Sequence, residues 1–293
     1  MNQTVMVVGA GPTGLSAAHA CATAGRKVVL VEKEARLGGA PILSGYAKLV
    51  PSGEWAKDAI GRMVARVEGH PSITVKKGAT VAKLDGGPGD FTATLSDGSS
   101  VQAGAVILGT GFTHFDSINK PEWGFGTVST NLAMEIRELS PKTDVYIYYM
   151  DIRTFGLYED KFYWRSQEEF CTKFVKARIA EVTIAPDGKR LLVKGEDTLV
   201  KRPIVIPFDL VVHAIGMDPN LDNPTIARAF GVGLEPHGFL ERGEHYTSTF
   251  SSTRPGVYVG GSALGPEDID TCISHGLAMA MRAIGDLSAK QAA

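Results

Sequence analysis

The first 32 residues alternate apolar runs with a glycine-rich turn, in the order that is typical of a nucleotide-binding βαβ unit. An apolar run over 4–8 leads directly into Gly9-Ala-Gly-Pro-Thr-Gly14, and a second apolar run ends at Glu32. This order predicts a strand, a glycine turn, a helix and a second strand that ends in a carboxylate. In such a motif the first glycine allows a sharp turn, the second lets the backbone approach a pyrophosphate, and the third lets the helix lie close to the strand.

The motif predicts a binding site for a dinucleotide. Backbone amides at the start of the helix, together with the positive end of its dipole, hold phosphate charge. An acid at the end of the second strand can hydrogen-bond a ribose. The motif by itself leaves FAD and NAD open as the ligand. The candidate contacts are Gly9, Gly11, Pro12, Thr13, Gly14 and Glu32.

Three later features favour FAD. A second glycine pair lies at 38–39, soon after the ribose acid, and an apolar run over 105–108 ends in Gly-Thr-Gly. A further apolar run over 256–259 ends in Gly-Gly-Ser and is followed by a helical pattern over 272–283. The first and last segments together resemble the two-dinucleotide-binding flavoproteins, whose familiar shape is that of thioredoxin reductase. The resemblance implies an α/β fold with an FAD-binding Rossmann-type domain and a second, reduced nucleotide-binding-like domain.

The same resemblance extends the set of candidate FAD contacts beyond the first motif. They are Lys33, Gly38, Gly39, Ala40, Val81, Thr110, Gly111, Gly261, Ser262, Asp268, Ile269, Thr271 and Ser274, with His275 as a further candidate on the same helix.

The remaining pattern predicts an antiparallel insert in the first domain and a second unit from about residue 127. We expect the FAD domain to comprise 1–125 and 250–293, and the reduced domain to comprise 127–249. The predicted helices are 54–68 and 132–139, with 163–174 helical or mixed; the predicted strands are 73–75, 80–84, 91–95, 101–107, 144–150 and 209–216, with a hairpin of 180–184 and 190–193.

The second unit has no phosphate-binding turn where an NAD(P) domain would carry one. No GxGxxG motif stands ahead of the β-prone run over 145–150. We therefore expect no stoichiometric binding of NADH or NADPH to this protein on its own.

Composition excludes several function classes. The net charge of −2 and the scattered lysines and arginines argue against binding of nucleic acid. No apolar run approaches the ~18 residues that a membrane span needs, and the chain enters a strand too early for a signal peptide. The cysteines at 21, 171 and 272 form no CxxC pair, so neither a redox-active disulfide nor a zinc site is predicted. These features predict a cytoplasmic protein.

One sequence segment narrows the resemblance to a single family. Tyr149-Met-Asp-Ile-Arg-Thr-Phe-Gly156 is similar to a segment of the A-type flavoprotein of heterodisulfide reductase, and Gly265-Pro-Glu-Asp-Ile269 matches near the flavin end. Longer members carry ferredoxin-type cysteine runs that this sequence lacks. The chain most resembles the short A-type flavoprotein of the bacterial heterodisulfide-reductase-like complex of sulfur oxidation.

The resemblance also implies a [4Fe–4S] cluster whose cysteine ligands are not present in this sequence. The paired cysteines of the family would fall near Ser129 and Thr130. Either the protein lacks the cluster or a stretch of sequence is missing around 126/127. We expect a missing stretch, because a domain without its first strand would expose a sheet edge.

Several other residues have two interpretations. Asp151 and Arg153 form either a local salt bridge or part of a docking or flavin-tuning site, and His213 is better explained as a satisfied core histidine. Glu267 stands where the family often places lysine, and an acid there would lower the flavin potential. The tyrosines at 146, 148, 149 and 158 predict packing and an interface.

The sequence therefore predicts an FAD-dependent oxidoreductase that passes electrons between partner proteins, as one component of a heterodisulfide-reductase-like complex, and that is itself a homodimer. Two alternatives remain open: a self-contained NAD(P)H:acceptor reductase, and a non-catalytic component that holds FAD for assembly. No catalytic residue is assigned, since no nucleophile–base pair is evident.

Overall fold

The computed structural model describes residues 2–43, 49, 54–114, 130–151, 163–212, 217–243 and 249–292. The chain forms two compact units, of which the first comprises Met1–Thr113 with Met217–Ala293 and the second comprises His114–Gly216. The sequence pattern assigned 217–249 to the second unit, and the structure places these residues in the first. The reason is burial: Phe230 and Leu240 belong to the same apolar core as Phe91 and Val257.

The helices and strands are numbered in chain order. The strands are β1 (Val5–Val8), β2 (Val28–Glu32), β3 (Ile73–Lys77), β4 (Val81–Gly87), β5 (Asp90–Leu95), β6 (Ser100–Ala103), β7 (Ala105–Leu108), β8 (Phe112–His114), β9 (Tyr146–Tyr149), β10 (Lys173–Ile184), β11 (Leu191–Asp197), β12 (Arg202–Phe208), β13 (Met217–Pro219) and β14 (Val257–Val259). The helices are α1 (Pro12–Thr23), α2 (Ala40–Leu43), α3 (Ala56–Glu68), α4 (Thr130–Leu139), α5 (Arg165–Glu168), α6 (Asn223–Phe230) and α7 (Ile269–Ala292).

A five-stranded parallel sheet forms the centre of the first unit. Its strand order is β14-β7-β1-β2-β3, and every neighbouring pair is parallel. The order reverses at β1, because β2 and β3 lie on one side of it and β7 and β14 on the other. In open α/β sheets ligands bind at such a reversal, beyond the carboxyl ends of the strands.

Helices α1 and α7 pack against each other at unusually close range. A Cβ atom added at Gly276 of α7 would meet the carbonyl oxygen of Thr13 and would lie 2.9 Å from Cβ of Ser16. The hydroxyl of Ser16 donates a hydrogen bond to the carbonyl oxygen of Ile273 over 2.9 Å. The absence of a side chain at Gly276 therefore determines how closely the last helix approaches the first.

The antiparallel insert is the three-stranded sheet β4-β5-β6. The prediction of a single strand over 101–107 is wrong. The structure divides this segment at Gly104 into β6 of the insert and β7 of the central sheet. A Cβ atom at Gly104 would collide with the carbonyl oxygen of Asn2. The glycine lets the chain pass the amino-terminal segment as it changes sheets.

Arg254 connects three segments of the first unit. Its Nη1 donates to the carbonyl oxygens of Leu84 at 3.1 Å and Phe230 at 2.7 Å, and its Nη2 donates to that of Gly86 at 2.8 Å. The guanidinium carbon also lies 5.3 Å from the ring centroid of Phe91. Because planar guanidinium groups present several donors in fixed directions, Arg254 can bind three backbone carbonyls at once.

The second unit contains a four-stranded sheet in the order β12-β11-β10-β9. β9 is parallel to β10, whereas β10, β11 and β12 are antiparallel. The predicted hairpin is confirmed, and the carboxylate of Asp187 accepts the amide hydrogens of Lys189 and Arg190 at its turn. Among the described residues β9 is an edge strand.

Two expectations for the second unit differ from the structure. The segment 209–212 is not a strand, and 213–216 lies outside the described residues. The strand of this region is instead β12, whose neighbour is β11. The segment 163–174, predicted as helical or mixed, contains the short helix α5 and the start of β10.

None of the helices in the described part of the chain is both long enough and apolar enough to span a membrane.

Candidate functional site

Three glycine turns meet at the carboxyl edge of the central sheet. Gly9 follows β1, Gly109 follows β7 and Gly260 follows β14. Their amides continue the ladder, since Gly9 N donates to Val31 O at 2.9 Å and Gly109 N donates to Val8 O at 2.9 Å. The register of the parallel strands thereby places all three turns side by side.

Gly9 and Gly14 are required by the backbone geometry of the first turn. Gly9 has φ of +93°, a conformation that L side chains rarely adopt. A Cβ atom at Gly9 would collide with Gly109 O, and one at Gly14 would collide with Gly9 O. The first motif can therefore form only with glycine at these two positions.

A Cβ atom added at Gly11 would collide with no atom of the described residues. The nearest atom to a Cβ added there is Cα of Gly39, at 4.0 Å. The second glycine pair closes over this point, because a Cβ atom at Gly39 would lie only 2.8 Å from Gly11 Cα and Gly38 N donates to Ala10 O at 2.8 Å. The two segments thus lie against each other at the start of α1.

Glu32 is buried at the end of β2, with 7% of its surface exposed. Its Oε2 accepts the amide hydrogen of Ala10 at 2.6 Å, and its Oε1 accepts that of Glu34 at 2.9 Å. A carboxylate has about four acceptor positions, so two remain for further donors such as ribose hydroxyls. Glu32 therefore has a second role that the sequence did not indicate: it holds the first glycine turn against β2.

Thr110 carries a buried hydroxyl, Oγ1, that makes no hydrogen bond to any described residue. Its carbonyl oxygen accepts a hydrogen bond from Nδ2 of Asn220 at 2.8 Å. Buried hydroxyls almost always have a partner, so an unpartnered one beside the glycine turns indicates a position for a ligand. Gly111 follows it with open space on its Cβ side. The sequence did not reveal Asn220, since no local pattern relates it to a residue 110 positions earlier.

The third turn packs between α1 and α7. Gly261 has φ of +64°, and a Cβ atom there would collide with Oγ1 of Thr13. Its amide donates to Nδ1 of His275 at 3.1 Å. The ring of His275 lies edge-on to that of Phe250, with 4.9 Å between centroids. Burial lowers the pKa of His275, which favours the neutral ring.

The candidates at the start of α7 have structural contacts. Asp268 caps the helix, because its Oδ1 accepts the amide hydrogen of Thr271 at 2.7 Å. The hydroxyl of Ser262 lies 3.3 Å from Sγ of Cys272. Ile269 is half-buried, and Ser274 is exposed.

Three candidate FAD contacts lie outside the three glycine turns: Lys33, Ala40 and Val81. Lys33 pairs with Asp222 across 2.8 Å at the surface. Ala40 begins α2, and Val81 begins β4 with its side chain in the apolar core. The start of β4 lies near Glu32, since the amide of Ala79, two residues before Val81, donates to the carbonyl oxygen of Glu32 at 3.0 Å.

Other candidate residues have local contacts or lie outside the described residues. Asp151 lies 3.7 Å from Nζ of Lys176 in an exposed ion pair. Tyr146 and Tyr148 pack against Phe208 with ring centroids 5.3 and 5.9 Å apart. Arg153, Tyr158, His213, Ser129 and the junction at 126/127 fall outside the described residues.

The cysteines and other metal-ligating side chains form no cluster in the described ranges. Burial raises the pKa of Cys21 to about 12, so its thiol stays protonated. Cys171 is exposed and Cys272 is buried. Across those ranges no group of three His, Cys, Asp or Glu side chains could hold a metal ion.

The residues at the carboxyl edge fit FAD. A Cβ atom at Gly11 would meet no described atom closer than 4.0 Å, so the backbone there can approach a pyrophosphate beside the amino terminus of α1. Glu32 retains free acceptor positions for a ribose, and the buried hydroxyl of Thr110 offers an unused donor and acceptor.

Comparison with known proteins agrees with this assignment. The family model for pyridine nucleotide-disulphide oxidoreductases matches residues 3–122. The thioredoxin reductase of T. acidophilum superposes with a TM-score of 0.68 and 19% identity, covering 99% of this chain and 100% of that one. The thioredoxin reductase of Lactococcus lactis gives a TM-score of 0.68 at 16% identity, covering 98% and 99%. These similarities confirm the predicted fold class, a two-domain α/β fold of Rossmann type.

Similar sequences are components of heterodisulfide reductases. The A-type iron-sulfur subunit of the CoB–CoM heterodisulfide reductase of Methanocaldococcus jannaschii is 23% identical, with 94% of this chain and 63% of that protein aligned. The second A-type iron-sulfur subunit of Methanopyrus kandleri is 35% identical over 55% of this chain and 25% of its own length. This chain thus spans less than two thirds of the length of the relatives it matches. The family model and these relatives support an FAD-dependent oxidoreductase.

Proposed function

We propose that this chain is the FAD-binding component of a heterodisulfide-reductase-like complex, in which it passes electrons between partner proteins. The observation that carries the proposal is the convergence of three glycine turns and the buried carboxylate of Glu32 at one sheet edge. The relatives named as A-type components of heterodisulfide reductase support the type of complex. The finer proposal, from the similarity stated above, is a role in cytoplasmic sulfur oxidation.

The residues of the site have separate tasks in this proposal. The amides after Gly11 bind the pyrophosphate, Glu32 binds the ribose, and Thr110 donates to the cofactor through its hydroxyl. FAD, when bound, supplies the redox chemistry, since its ring system accepts and releases electrons. The protein's own contribution is to position the cofactor and to control access to it.

The partners are proposed to be the other components of the complex. The matched relatives are named as subunits of heterodisulfide reductases, which supports a multi-subunit assembly. The alignment with the Methanocaldococcus protein has 414 positions, which exceeds this chain of 293 residues by more than a hundred. Such a difference is what a missing stretch with iron–sulfur ligands would produce. An iron assay of the gene product, with its sequence determined across 126/127, tests this part.

FAD binding is tested by purification. The protein should be yellow, and heat denaturation should release about one FAD per chain, identified by chromatography against FMN and FAD. A colourless preparation that also rejects added FAD would contradict the proposal. Glu32→Gln, which keeps the size of the side chain but removes its charge, should bind FAD more weakly than the wild type.

The alternative of a self-contained NAD(P)H reductase is tested by reduction kinetics. The strand β9 ends at Tyr149 and is followed by Met150 and Asp151, not by a glycine turn, so we expect NADH and NADPH to reduce the flavin slowly or not at all. Stopped-flow bleaching at catalytic rates by either nucleotide would support the alternative. A flavin that neither a nucleotide nor a partner protein reduces would support the third possibility, an assembly component without redox activity.

A further inference from the structure

His275 is the hydrogen-bond partner of the third glycine turn. Gly261 is buried, and its amide donates to Nδ1 of His275 at 3.1 Å. A ring nitrogen that accepts a hydrogen bond carries no proton, so the neutral ring must carry its proton on Nε2. Without this acceptor the buried amide of Gly261 would lose its partner in the described structure.

The turn has little freedom to find another arrangement. A Cβ atom at Gly260 would lie 2.6 Å from Cε of Met279 and 3.3 Å from Cβ of His275. On the other side, Gly261 abuts Oγ1 of Thr13 at the start of α1. The turn is therefore held between the first motif and α7, and the imidazole supplies its hydrogen bond from the α7 side.

We propose that His275 is a positioning residue, which holds the Gly260–Gly261 turn through its unprotonated Nδ1, so that protonation of the ring releases the turn and weakens cofactor binding. Only the effect on cofactor binding rests on the proposed FAD site; the hydrogen bond between Gly261 and His275 does not. An imidazolium carries N–H on both nitrogens, so protonation places two donors against each other and breaks the contact.

The surroundings of the ring favour the neutral form. Burial is the main influence and lowers the pKa of His275, and Arg242 lowers it further, whereas Glu267 and Asp268 act in the opposite direction. A group whose folded pKa is lowered contributes stability that is complete above its unfolded pKa of about 6.5 and is lost as the pH falls below that value. Protein stability should therefore decrease on acidification through this ring.

The first test needs no cofactor. In protein labelled with ¹⁵N-histidine at pH 7.5, the nitrogen shifts of His275, assigned with the His275→Asn variant, should show a proton on Nε2 and none on Nδ1. A proton on Nδ1 would overturn the proposal. This measurement is made on the apoprotein, so it decides the hydrogen bond even if the protein binds no FAD. In that case the proposed function fails and the turn contact is judged separately.

The second test separates the hydrogen bond from the presence of a side chain. FAD affinity is measured by fluorescence titration at pH 7.5 and pH 5.5 for the wild type, His275→Asn and His275→Leu. Asn offers an acceptor oxygen near the position of Nδ1 that does not titrate, whereas Leu offers none. Acidification should weaken FAD binding by the wild type more than by the Asn variant, with about tenfold as the upper limit, which is the effect of one lost hydrogen bond. The Leu variant should bind weakly at both pH values.

His237→Asn is the matched control, because His237 is exposed and lies outside the site. It should retain the pH dependence of the wild type. Equal pH dependence in the wild type and His275→Asn would overturn the proposal, as would wild-type affinity in His275→Leu.

Discussion

At the scale of single residues, the glycines of the first motif differ in what surrounds them. Gly9 and Gly14 are packed so tightly that a side chain would collide with backbone atoms, whereas a Cβ atom at Gly11 would meet no described atom closer than Cα of Gly39 at 4.0 Å. Substitution at the first two positions therefore acts on folding. Substitution at Gly11 should act on the ligand, because a side chain there would compete with the proposed pyrophosphate for the space beside the start of α1.

Gly11→Val should abolish FAD binding while the apoprotein keeps its fold. Since Gly11 is the N-cap of α1, the loss of stability should be no more than about 1 kcal/mol, from a less favourable cap. FAD titration and chemical denaturation measure the two effects. Unchanged affinity would show that the pyrophosphate does not lie against Gly11. As a control, Gly61→Ala on α3, with no atom within 4 Å of the added Cβ, should affect neither site nor fold adversely.

Glu32 should contribute to the stability of the apoprotein as well as to FAD affinity. Glu32→Ala leaves the buried amide of Ala10 without its acceptor, which should lower the free energy of unfolding by about 1–3 kcal/mol. We expect affinity for FAD to fall by a further ~1–3 kcal/mol, from the lost ribose contact. Denaturant titration of the apoprotein measures the first effect. If the variant were as stable as the wild type, the hydrogen bond from Ala10 to Glu32 would make no net contribution to the free energy of unfolding.

At the scale of elements, we expect the packing of α7 on α1 to influence the cofactor site. The first helix begins beside Gly11 and the last helix supports the Gly260–Gly261 turn. Gly276 sits where the two helices are closest, and Gly285 sits nine residues later on the same helix with no atom within 4 Å of an added Cβ. The two glycines provide a matched pair for testing the effect of helix separation.

Gly276→Ala should lower the free energy of unfolding by about 1–3 kcal/mol and weaken FAD binding, because the methyl group pushes α7 away from Thr13 and Ser16. Gly285→Ala should raise stability by up to ~1 kcal/mol, since alanine favours helix and meets no obstacle. Thermal denaturation with and without FAD measures both. If the two variants behaved alike, close helix packing would not govern the site.

At the scale of the whole molecule, the second unit carries the aromatic surface that we propose for assembly. Its sheet has half-buried tyrosines, of which Tyr146 and Tyr148 pack on Phe208 and Tyr149 packs on Phe174. Part of their surface is thus used within the unit. Aromatic side chains are also frequent in the centres of interfaces, so the remaining surface supports the proposed homodimer.

Light scattering of the isolated protein at micromolar concentration should give about twice the chain mass of 31.2 kDa. Tyr146→Ser should shift the mass toward that of one chain if the tyrosines form the interface. A wild-type mass near 31.2 kDa would contradict the dimer and would leave packing inside the unit as their only role.

The local parts of the site could be predicted from the sequence. The order of strand, glycine turn, helix and acid over the first 32 residues is set by neighbouring residues. The structure has β1, α1 and β2 where the apolar pattern predicted them. The prediction held because a βαβ unit depends on periodicity and on glycine at specific turn positions, which are properties of short segments. The same is true of the hairpin around Asp187.

The tertiary structure alone decided which distant segments meet. The sequence pattern predicted one strand over 101–107, whereas the structure divides this segment at Gly104. The cause is the close approach of Gly104 to the amino-terminal segment at Asn2, which the local pattern does not show. The segment 217–249 packs with the first unit through Phe230, a burial that no local pattern encodes. The contact of His275 with Gly261 and that of Asn220 with Thr110 likewise require side chains and backbone groups that only the folded chain brings together. Sequence alone therefore determined the type of site, and tertiary packing determined the hydrogen bonds that hold it in place.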